Sequence, residues 1–366
     1  MLYLGGKSKK FWILFFVIIG PFIFELLAQL GRFSLSGPSL DGPSRFLLAG
    51  FTFIYLASHD WCPMLINKFS MGSLISIPIT FASVIILDDY YWLGRAATRI
   101  MCPNTLPVYL SVLSCFAFYF LKQNRPTQFY LFFISLVLMS GYILYLTKTR
   151  TSWVAVIILI STLFLLHYRL NKVKLLISNV GLFCGVLFFY FSSESVAERV
   201  DTTFDSIIQF YEGSPNTSLG MRMGLILLDI EIVKMYPFFG LEDGLLPTFD
   251  KFKEKIPILT NEIYELKRLP GSHSEITANL TRKGIILGLF ALFCLFIYPM
   301  KFFVSRLFDK NIEVKKLAMI GISVVVIILI SSFGTQVFHF KMTSTFWGYF
   351  LAMFFASIFR IEKNIS

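Results

Sequence analysis

A histidine and two arginines are the residues of this sequence whose types suit chemistry on an anionic substrate. His273 lies on a long polar segment, just before an apolar run that begins near Gly284. Its imidazole can act as a general base near neutral pH. The guanidinium groups of Arg150 and Arg222 carry a permanent charge and present paired donors that suit pyrophosphate oxygens. Gathered at one membrane face, the three residues predict a site for an anionic, lipid-borne substrate.

Each of these residues also has a plainer interpretation. Arg150 stands near Trp153 and suits an interfacial anchor at a membrane boundary. Arg222 suits a solvated or acid-paired position on a helix, and His273 suits an ordinary surface position. His339 is a rival base on a later loop. A shared site therefore requires that the three main residues lie on one side of a membrane.

Composition places the chain in a membrane. The 366 residues have a mean hydropathy of +0.70, 56% are hydrophobic and 15% are charged, more apolar surface than a soluble domain can bury. Because backbone groups in lipid must be satisfied internally, the spans are predicted to be helices. Ten apolar runs have suitable lengths: 11–30, 44–59, 70–87, 104–121, 128–147, 151–168, 174–192, 284–304, 316–333 and 343–359.

The distribution of basic residues predicts the topology. With the N-terminus inside, sixteen Lys and Arg residues fall on short inner segments and seven on short outer ones, in agreement with the positive-inside rule. Seven crossings then precede residue 193, so the polar segment 193–283 faces outward. This count places Arg150, Arg222 and His273 on the same side, and it accounts for most of the net charge of +11 without a nucleic-acid partner.

The chain divides into three predicted parts: about seven spans in 1–192, an outer loop with short helices in 193–283, and about three spans in 284–366. Within the loop, helical spacing predicts a helix from about Ser218 to Met235, which Pro237 ends. A second, partly helical piece is predicted over 250–268. His273 is expected near the start of the helix that leads into the next span.

Several other classes of site lack a signal in the sequence. The five cysteines form no C-x-x-C pair, and no nucleotide-binding or zinc motif is present, so no metal or other cofactor is expected. Lys7, Lys9 and Lys10 precede the first apolar run, which is interpreted as a retained span rather than a signal peptide. Glu25, near the outer end of that span, suits either a functional role or pairing with an outer arginine. Asp88 and Asp89 suit a solvated loop better than a cation site.

Six short motifs resemble the O-antigen ligase and Wzy polymerase superfamily of bacterial inner-membrane glycosyltransferases, and their order is more specific than any one of them. Together they extend over roughly 35–300, and they are most similar to the ligases that attach O-antigen. The motifs are Leu40-Asp41-Gly42-Pro43-Ser44-Arg45, Pro103-Asn104, Thr147-Lys148-Thr149-Arg150, Ser218-Leu219-Gly220-Met221-Arg222, Tyr236-Pro237-Phe238-Phe239-Gly240, and His273-Ser274-Glu275 followed by Lys283-Gly284.

The resemblance implies a fold, a reaction and a site. The fold would be an all-α polytopic bundle in the inner membrane, with a large periplasmic loop. The reaction would transfer a glycan from undecaprenyl pyrophosphate to a lipid A-core sugar, with inversion and without a metal. The family's essential residues fall on Arg150, Arg222 and His273, which would hold the pyrophosphate and deprotonate the acceptor. Three further residues are expected at the substrate: Arg45, Lys148 and Glu275. The spacing of Glu275 alone also predicts that it orients the imidazole.

Two departures from the family and two alternatives stay open. The chain has fewer predicted spans than family members commonly have, and Ser274 replaces the asparagine of the family's His-Asn-Glu. A Wzy-type polymerase would use the same donor with a lipid-linked glycan as acceptor. A transporter or flippase would use the arginines to escort an anionic lipid without bond formation. Sugar identity and oligomeric state have no readable signal.

Overall fold

The computed structural model describes residues 8–59, 62–86, 91–92, 95–98, 101–124, 129–168, 171–242, 245–268 and 273–365, and this part of the chain is almost entirely helical. Its α-helices are α1 (Lys9–Gly31), α2 (Gly37–Leu56), α3 (Cys62–Ile86), α4 (Leu106–Asn124), α5 (Phe129–Thr147), α6 (Arg150–Tyr168), α7 (Lys172–Ser192), α8 (Glu194–Tyr211), α9 (Ser218–Met235), α10 (Phe249–Lys253), α11 (Asn261–Arg268), α12 (Glu275–Leu292), α13 (Tyr298–Val304), α14 (Ile312–Gly334) and α15 (Lys341–Ile365).

Four short elements complete the described chain. Strands β1 (Tyr91–Trp92) and β2 (Arg95–Ala96) form an antiparallel pair. A π-helical turn, Phe293–Ile297, joins α12 to α13, and a 3₁₀ turn, Val337–His339, precedes α15. Asp88 and Asp89, which the sequence places in a solvated loop rather than at a cation site, lie outside the described residues.

The prediction of an all-α polytopic membrane protein is confirmed. Among the described helices, seven segments are long and apolar enough to cross a membrane: Lys9–Gly31, Met64–Ile86, Arg150–Tyr168, Lys172–Ser192, Glu275–Val304, Ile312–Gly334 and Lys341–Lys363. Two shorter apolar helices, Leu106–Phe118 and Ile134–Thr147, coincide with two more predicted spans. Nine of the ten predicted runs therefore correspond to apolar helices.

The remaining run, 44–59, differs from its prediction. The apolar run 44–59 predicts a helix that begins at Ser44, but α2 begins at Gly37 and ends at Leu56. Its first turns are polar and include Asp41 and Arg45, so α2 is not among the seven segments apolar enough to span a membrane. Pro43 lies within the helix, and the Ser44 hydroxyl next to it donates to the Asp41 carbonyl at 2.7 Å.

The chain folds into two compact units, each made of several segments. The first comprises Met1–Thr52, Gly185–Tyr298 and Ser332–Ala352, and the second comprises Phe53–Cys184, Pro299–Ser331 and Met353–Ser366. In the first unit, α1 packs against α12 and against the π-helical turn that follows it. The approach to this turn is close because Gly20 has no side chain: a Cβ there would lie 2.6 Å from the Cys294 sulfur.

The second unit has its own apolar core. Helices α3, α4 and α5 pack together through a buried cluster: Ile77, Val84, Ala96, Leu106, Leu110, Ala117, Leu136 and Ile143. Elsewhere in this unit, the rings of Phe302 and Phe355 lie 4.4 Å apart between centroids. Arg306 and Glu362 form an ion pair at 2.9 Å. This unit carries the turn between α5 and α6 that ends at Arg150.

Candidate functional site

Helix α9 carries Arg222 and matches its prediction from sequence. Thr217 caps the helix by accepting a hydrogen bond from the Gly220 N–H at 3.0 Å. The predicted apolar face is buried and packs with α10, α11 and the segment between them in one cluster: Leu225, Leu228, Ile232, Phe252, Ile256, Leu259 and Ile263. Arg222 lies in the second turn of this anchored helix and is half-buried, so its position is fixed by the packing of α9.

His273 stands immediately before α12, as the sequence predicts. Ser274 is the N-cap residue, and its hydroxyl donates to the Ser332 carbonyl oxygen at 3.2 Å. The next residue, Glu275, accepts a hydrogen bond from the Phe338 N–H at 2.9 Å. Both anchors are buried. They fix the C-terminal side of the histidine against the segment that connects α14 to α15.

The imidazole of His273 is held in its neutral form. Its side chain is partly buried, and the pKa of His273 lies below its ordinary value, first because burial disfavours the imidazolium and second because Arg222 places a positive charge nearby. The carboxylate of Asp229 acts in the opposite direction and raises the same pKa. A neutral imidazole at pH 7 is the form that accepts a proton, so this environment suits a general base.

The side chain of Glu275 is built into a buried polar chain that joins α12 to α1. Its carboxylate accepts a hydrogen bond from Asn279 at 2.7 Å, and Asn279 accepts one from Lys283 at 2.7 Å. Lys283 forms an ion pair with Glu25 at 2.8 Å, and Glu25 accepts from Gln29 at 3.1 Å. Every step within a helix spans four residues, which places the partners on one helix face.

The buried polar chain revises the expectation for Glu25 and does not test the one for Glu275. The sequence left a functional role for Glu25 open beside pairing with an outer arginine, whereas the ion-pair partner is Lys283 of α12. The proposed orientation of His273 by Glu275 stays a prediction. Its carboxylate bonds to Phe338 and Asn279, and these contacts give Glu275 a structural role in fixing the start of α12.

The turn that follows α9 packs closely against the middle of α12. At Gly284 the backbone leaves helical geometry, with φ of 74°. The interrupted helix then bonds to the turn that follows α9: the Leu241 N–H donates to the Thr281 carbonyl at 2.7 Å, and the Ile285 N–H donates to the Pro237 carbonyl at 2.8 Å. The helix that carries Arg222 and the helix that follows His273 are thereby connected through backbone hydrogen bonds.

Arg32 stabilises the same junction from the end of α1. Its guanidinium donates to the Phe239 carbonyl at 2.7 Å and also to the Arg282 carbonyl. The Arg282 carbonyl lies beside the break at Gly284, and the Phe239 carbonyl belongs to the turn after α9. One arginine therefore joins α1, the turn after α9, and α12.

Arg150 belongs to the second unit, where it is the first residue of α6 and is half-buried. The preceding turn is organised by Arg95, which donates to the Thr147 carbonyl at 2.8 Å and to the Thr149 hydroxyl at 2.6 Å. Thr149 in turn donates to the Pro103 carbonyl at 2.8 Å. Buried threonine hydroxyls and one arginine thus set the backbone from which Arg150 projects.

The two remaining predicted substrate residues have local structural features. Arg45 forms an ion pair with Asp41 at 2.8 Å, and Lys341 pairs with the same carboxylate. These partners, Lys341 first, hold the pKa of Asp41 below its usual range. Lys148 has a positive φ of 49°, an uncommon conformation for a residue with a side chain. Its strained backbone lies at the turn directly before Arg150.

Four of the charged residues that organise these regions were not predicted as site residues from the sequence. Arg95 was counted only for topology, while Lys283 appeared only as part of a motif. Asp229 and Lys267 form a buried ion pair at 2.5 Å, yet neither was singled out. A charged residue that interrupts an apolar face is the available signal: Asp229 directly follows Leu228 on the buried face of α9.

Comparison with known proteins shows a similarity over part of the chain. Residues 134–268 match the family model described as O-antigen ligase. An uncharacterized protein of Haemophilus influenzae is 23% identical over 266 residues, which amount to 71% of this chain and 61% of that relative's length. The segment matched by the family model contains both Arg150 and Arg222. Residues 134–268 of this multi-pass membrane protein are therefore similar to the O-antigen ligase family.

Proposed function

We propose that this protein is an O-antigen ligase that transfers a glycan from undecaprenyl pyrophosphate to a sugar of lipid A-core at the periplasmic face. The observation that carries the proposal is the environment of His273, a partly buried histidine kept neutral beside Arg222. The family match contributes the class of substrate. A neutral base next to a permanent cation suits attack by a hydroxyl on a donor with a diphosphate leaving group.

In the proposed reaction, His273 removes the proton from the acceptor hydroxyl as its oxygen attacks the anomeric carbon. The new carbon–oxygen bond forms while the bond to the pyrophosphate breaks. The electron pair leaves with undecaprenyl pyrophosphate, and the proton stays on the imidazole until solvent takes it. A single displacement of this kind inverts the anomeric centre.

Arg222 is proposed to stabilise the charge that develops on the departing pyrophosphate. A guanidinium presents paired donors and cannot lose its charge near pH 7. Its position in the packed helix α9 supports this role, because a preorganised cation needs little rearrangement during the reaction. Arg150 is proposed as the second phosphate ligand, on a backbone that Arg95 and Thr149 hold in place.

The other predicted substrate residues are assigned lesser roles. Arg45 and Lys148 are proposed to attract the anionic donor or the phosphorylated core, and Glu275 to contact the acceptor while it fixes the start of α12. The mechanism uses side chains of the protein alone and assigns no step to a metal or another cofactor. The excess of basic residues on the predicted inner segments supports the periplasmic orientation of the site.

The experiment that tests the proposal is lipopolysaccharide gel analysis of a strain that lacks this gene, complemented with wild type, His273→Ala or His273→Gln. We expect core without O-antigen in the mutant strain, polymer retained on the lipid carrier, and rescue by wild type but by neither variant. Equal amounts of each protein in the membrane fraction are the control. Core with a single repeat would instead identify a polymerase, and an unchanged ladder would refute a role in O-antigen transfer.

A further inference from the structure

A buried ion pair links two helices next to the candidate base. Lys267 Nζ of α11 and Asp229 Oδ1 of α9 lie 2.5 Å apart, and their side chains are 3% and 2% exposed. The pair takes no part in the proposed reaction. Its position suggests what it does.

The two helices touch at a second point. At Gly224 of α9, a Cβ would lie 2.6 Å from the Ile263 Cδ1 of α11, so the two backbones approach closely there. The contact between Asp229 and Lys267 follows five residues later on α9 and four residues later on α11. Since both contacts advance in the same direction, α9 and α11 run side by side in parallel, and the ion pair fixes their register.

This register fixes the end of α11, which lies shortly before His273 in the sequence. Lys267 is six residues before His273, and Asp229 is seven residues after Arg222 on the same face of α9. About 10 Å of helix axis separates Arg222 from Asp229. Asp229 and Arg222 both act electrostatically on His273. The ion pair therefore anchors the end of α11, six residues before His273, to the helix that carries Arg222.

The chain after His273 is anchored as well. The Ser274 hydroxyl donates to the Ser332 carbonyl, and the Phe338 N–H donates to Glu275. His273 thus lies between two buried polar anchors, of which the Asp229–Lys267 pair is the one that leads back to Arg222. A histidine anchored on both sides can keep one orientation.

A buried ion pair is a poor way to gain stability. Removing two charges from water costs several kcal/mol per ion, and apolar residues of similar volume are often as stabilising. The surrounding cluster of Leu225, Leu228, Ile232 and Ile263 already supplies apolar packing between α9 and α11. What the pair adds is a directional contact that only one register satisfies.

We propose that the Asp229–Lys267 ion pair holds His273 in register with Arg222, which makes Asp229 a positioning residue of the site. The inference rests on the proposed function for the meaning of His273, but not for its geometry. The charged groups that act on His273 from α9 are Arg222 and Asp229, and from α11 Lys267 acts through its pairing with Asp229.

A titration tests the geometry without requiring activity. The full-length chain, labelled with isotopic histidine and held in detergent micelles, has four histidines, and His273→Gln identifies the signal of interest. The test variant is Asp229→Asn with Lys267→Met, which removes both charges and preserves volume, so that no buried charge is left alone. Because Asp229 raises the pKa of His273, we expect this pKa to fall in the double variant. Glu231→Gln, which disrupts a more exposed pair with Lys234 on the same helix, should leave it unchanged.

The catalytic readout uses the same proteins with undecaprenyl pyrophosphate-linked glycan and purified lipid A-core. We expect kcat of the double variant to fall at least tenfold, with little change in KM for the donor. The acidic limb of the pH profile should move to lower pH. Asp229→Glu, which keeps the charge, should recover part of the loss. The Glu231→Gln control should transfer at the wild-type rate.

The outcomes separate the two proposals. A double variant whose His273 titrates like wild type, or whose kcat is unchanged in an active enzyme, overturns the positioning role of Asp229. A wild-type protein without transferase activity overturns the proposed function, while the titration still decides whether the ion pair controls the environment of His273.

Discussion

Gly240 of the turn after α9 packs directly against Thr281 of α12, at a distance that excludes any side chain. A Cβ on Gly240 would overlap the Thr281 carbonyl and lie 2.6 Å from the Arg282 carbonyl oxygen. Gly284 makes the reciprocal approach, since its Cβ would lie 2.6 Å from the Pro237 carbonyl oxygen. Both glycines also have a positive φ. Each is therefore constrained both by its backbone conformation and by close packing. The two glycines lie where the turn after α9, the helix of Arg222, meets α12, the helix that follows His273.

Replacing either glycine with alanine should destabilise the protein by more than its backbone conformation alone predicts. Gly213→Ala is the matched control, because Gly213 also has a positive φ but nothing within 4 Å of its would-be Cβ. That control should cost about 1–2 kcal/mol, and both Gly240→Ala and Gly284→Ala should cost more. Thermal unfolding in detergent micelles measures the differences, and equal losses at the three sites would contradict the close packing.

Breaking the ion pair between Glu25 and Lys283 from one side should be costly. Lys283→Met leaves a buried carboxylate without its counter-charge, at a cost of about 3–5 kcal/mol. The double variant Glu25→Gln with Lys283→Met should recover most of this loss. In a background with the other four cysteines replaced by serine, the rate at which the buried Cys294 thiol reacts with a maleimide dye during heating reports the unfolding.

A surface pair provides the comparison for this prediction. Lys316→Met disrupts the partly exposed pair with Glu313, and such pairs contribute at most about 1 kcal/mol. If Lys283→Met destabilised the protein no more than Lys316→Met, the ion pair between α1 and α12 would contribute no more to stability than a surface pair.

The pH dependence of transfer should follow the protonation of His273. Its pKa is lowered by burial and by Arg222, so the base is neutral at pH 7 and kcat/KM should decline only as the pH falls through that lowered value. Arg222→Gln removes one cause of the lowering, and the acidic limb should therefore move to higher pH. The plateau should also fall by about 10²–10³, since a charge-stabilising group is lost.

The control for this profile is Lys234→Gln, which removes an exposed cation from the same helix and should leave both limb and plateau in place. If the acidic limb did not move in Arg222→Gln, Arg222 would have no electrostatic effect on the pKa of His273. The electrostatic basis for pairing the two residues would then be lost.

The Thr149 hydroxyl should be required for the turn that presents Arg150. Thr149→Val keeps the shape but loses the bonds to Arg95 and Pro103, and leaves buried polar groups unsatisfied at a cost of about 1–3 kcal/mol. Thr149→Ser retains the hydroxyl and should remain close to wild type. Melting temperature and transfer rate should both fall in the valine variant. Indistinguishable valine and serine variants would argue against this hydrogen-bonded turn.

The local features of the fold were readable from the sequence. The spacing of Leu225, Leu228 and Ile232 predicted α9, because a helix places such residues on one face. The apolar runs predicted the spans, because lipid fixes their length. The position of His273 before a helix followed from the residues around it. Each of these features is determined within about twenty consecutive residues.

The long-range features were not readable in the same way. The break at Gly284 depends on a turn more than forty residues earlier, and a lone glycine in an apolar run is compatible with a continuous helix. The partner of Glu25 lies on α12, and that of Asp229 lies on α11. Charge pairing of this kind depends on which faces meet after folding, which the helical period does not specify.

The pairing of Glu25 with Lys283 also has a consequence for biogenesis. The ribosome makes Glu25 258 residues before Lys283 (283 − 25), an interval of roughly 10–50 s at ordinary rates of synthesis. An isolated carboxylate is costly in hydrocarbon and tends to take up a proton there. We therefore expect α1 to enter the bilayer with Glu25 uncharged or shielded, and its ion pair to form only when α12 arrives. The ionic environment of Glu25 in α1 is thus completed only by α12, one of the last helices to be made.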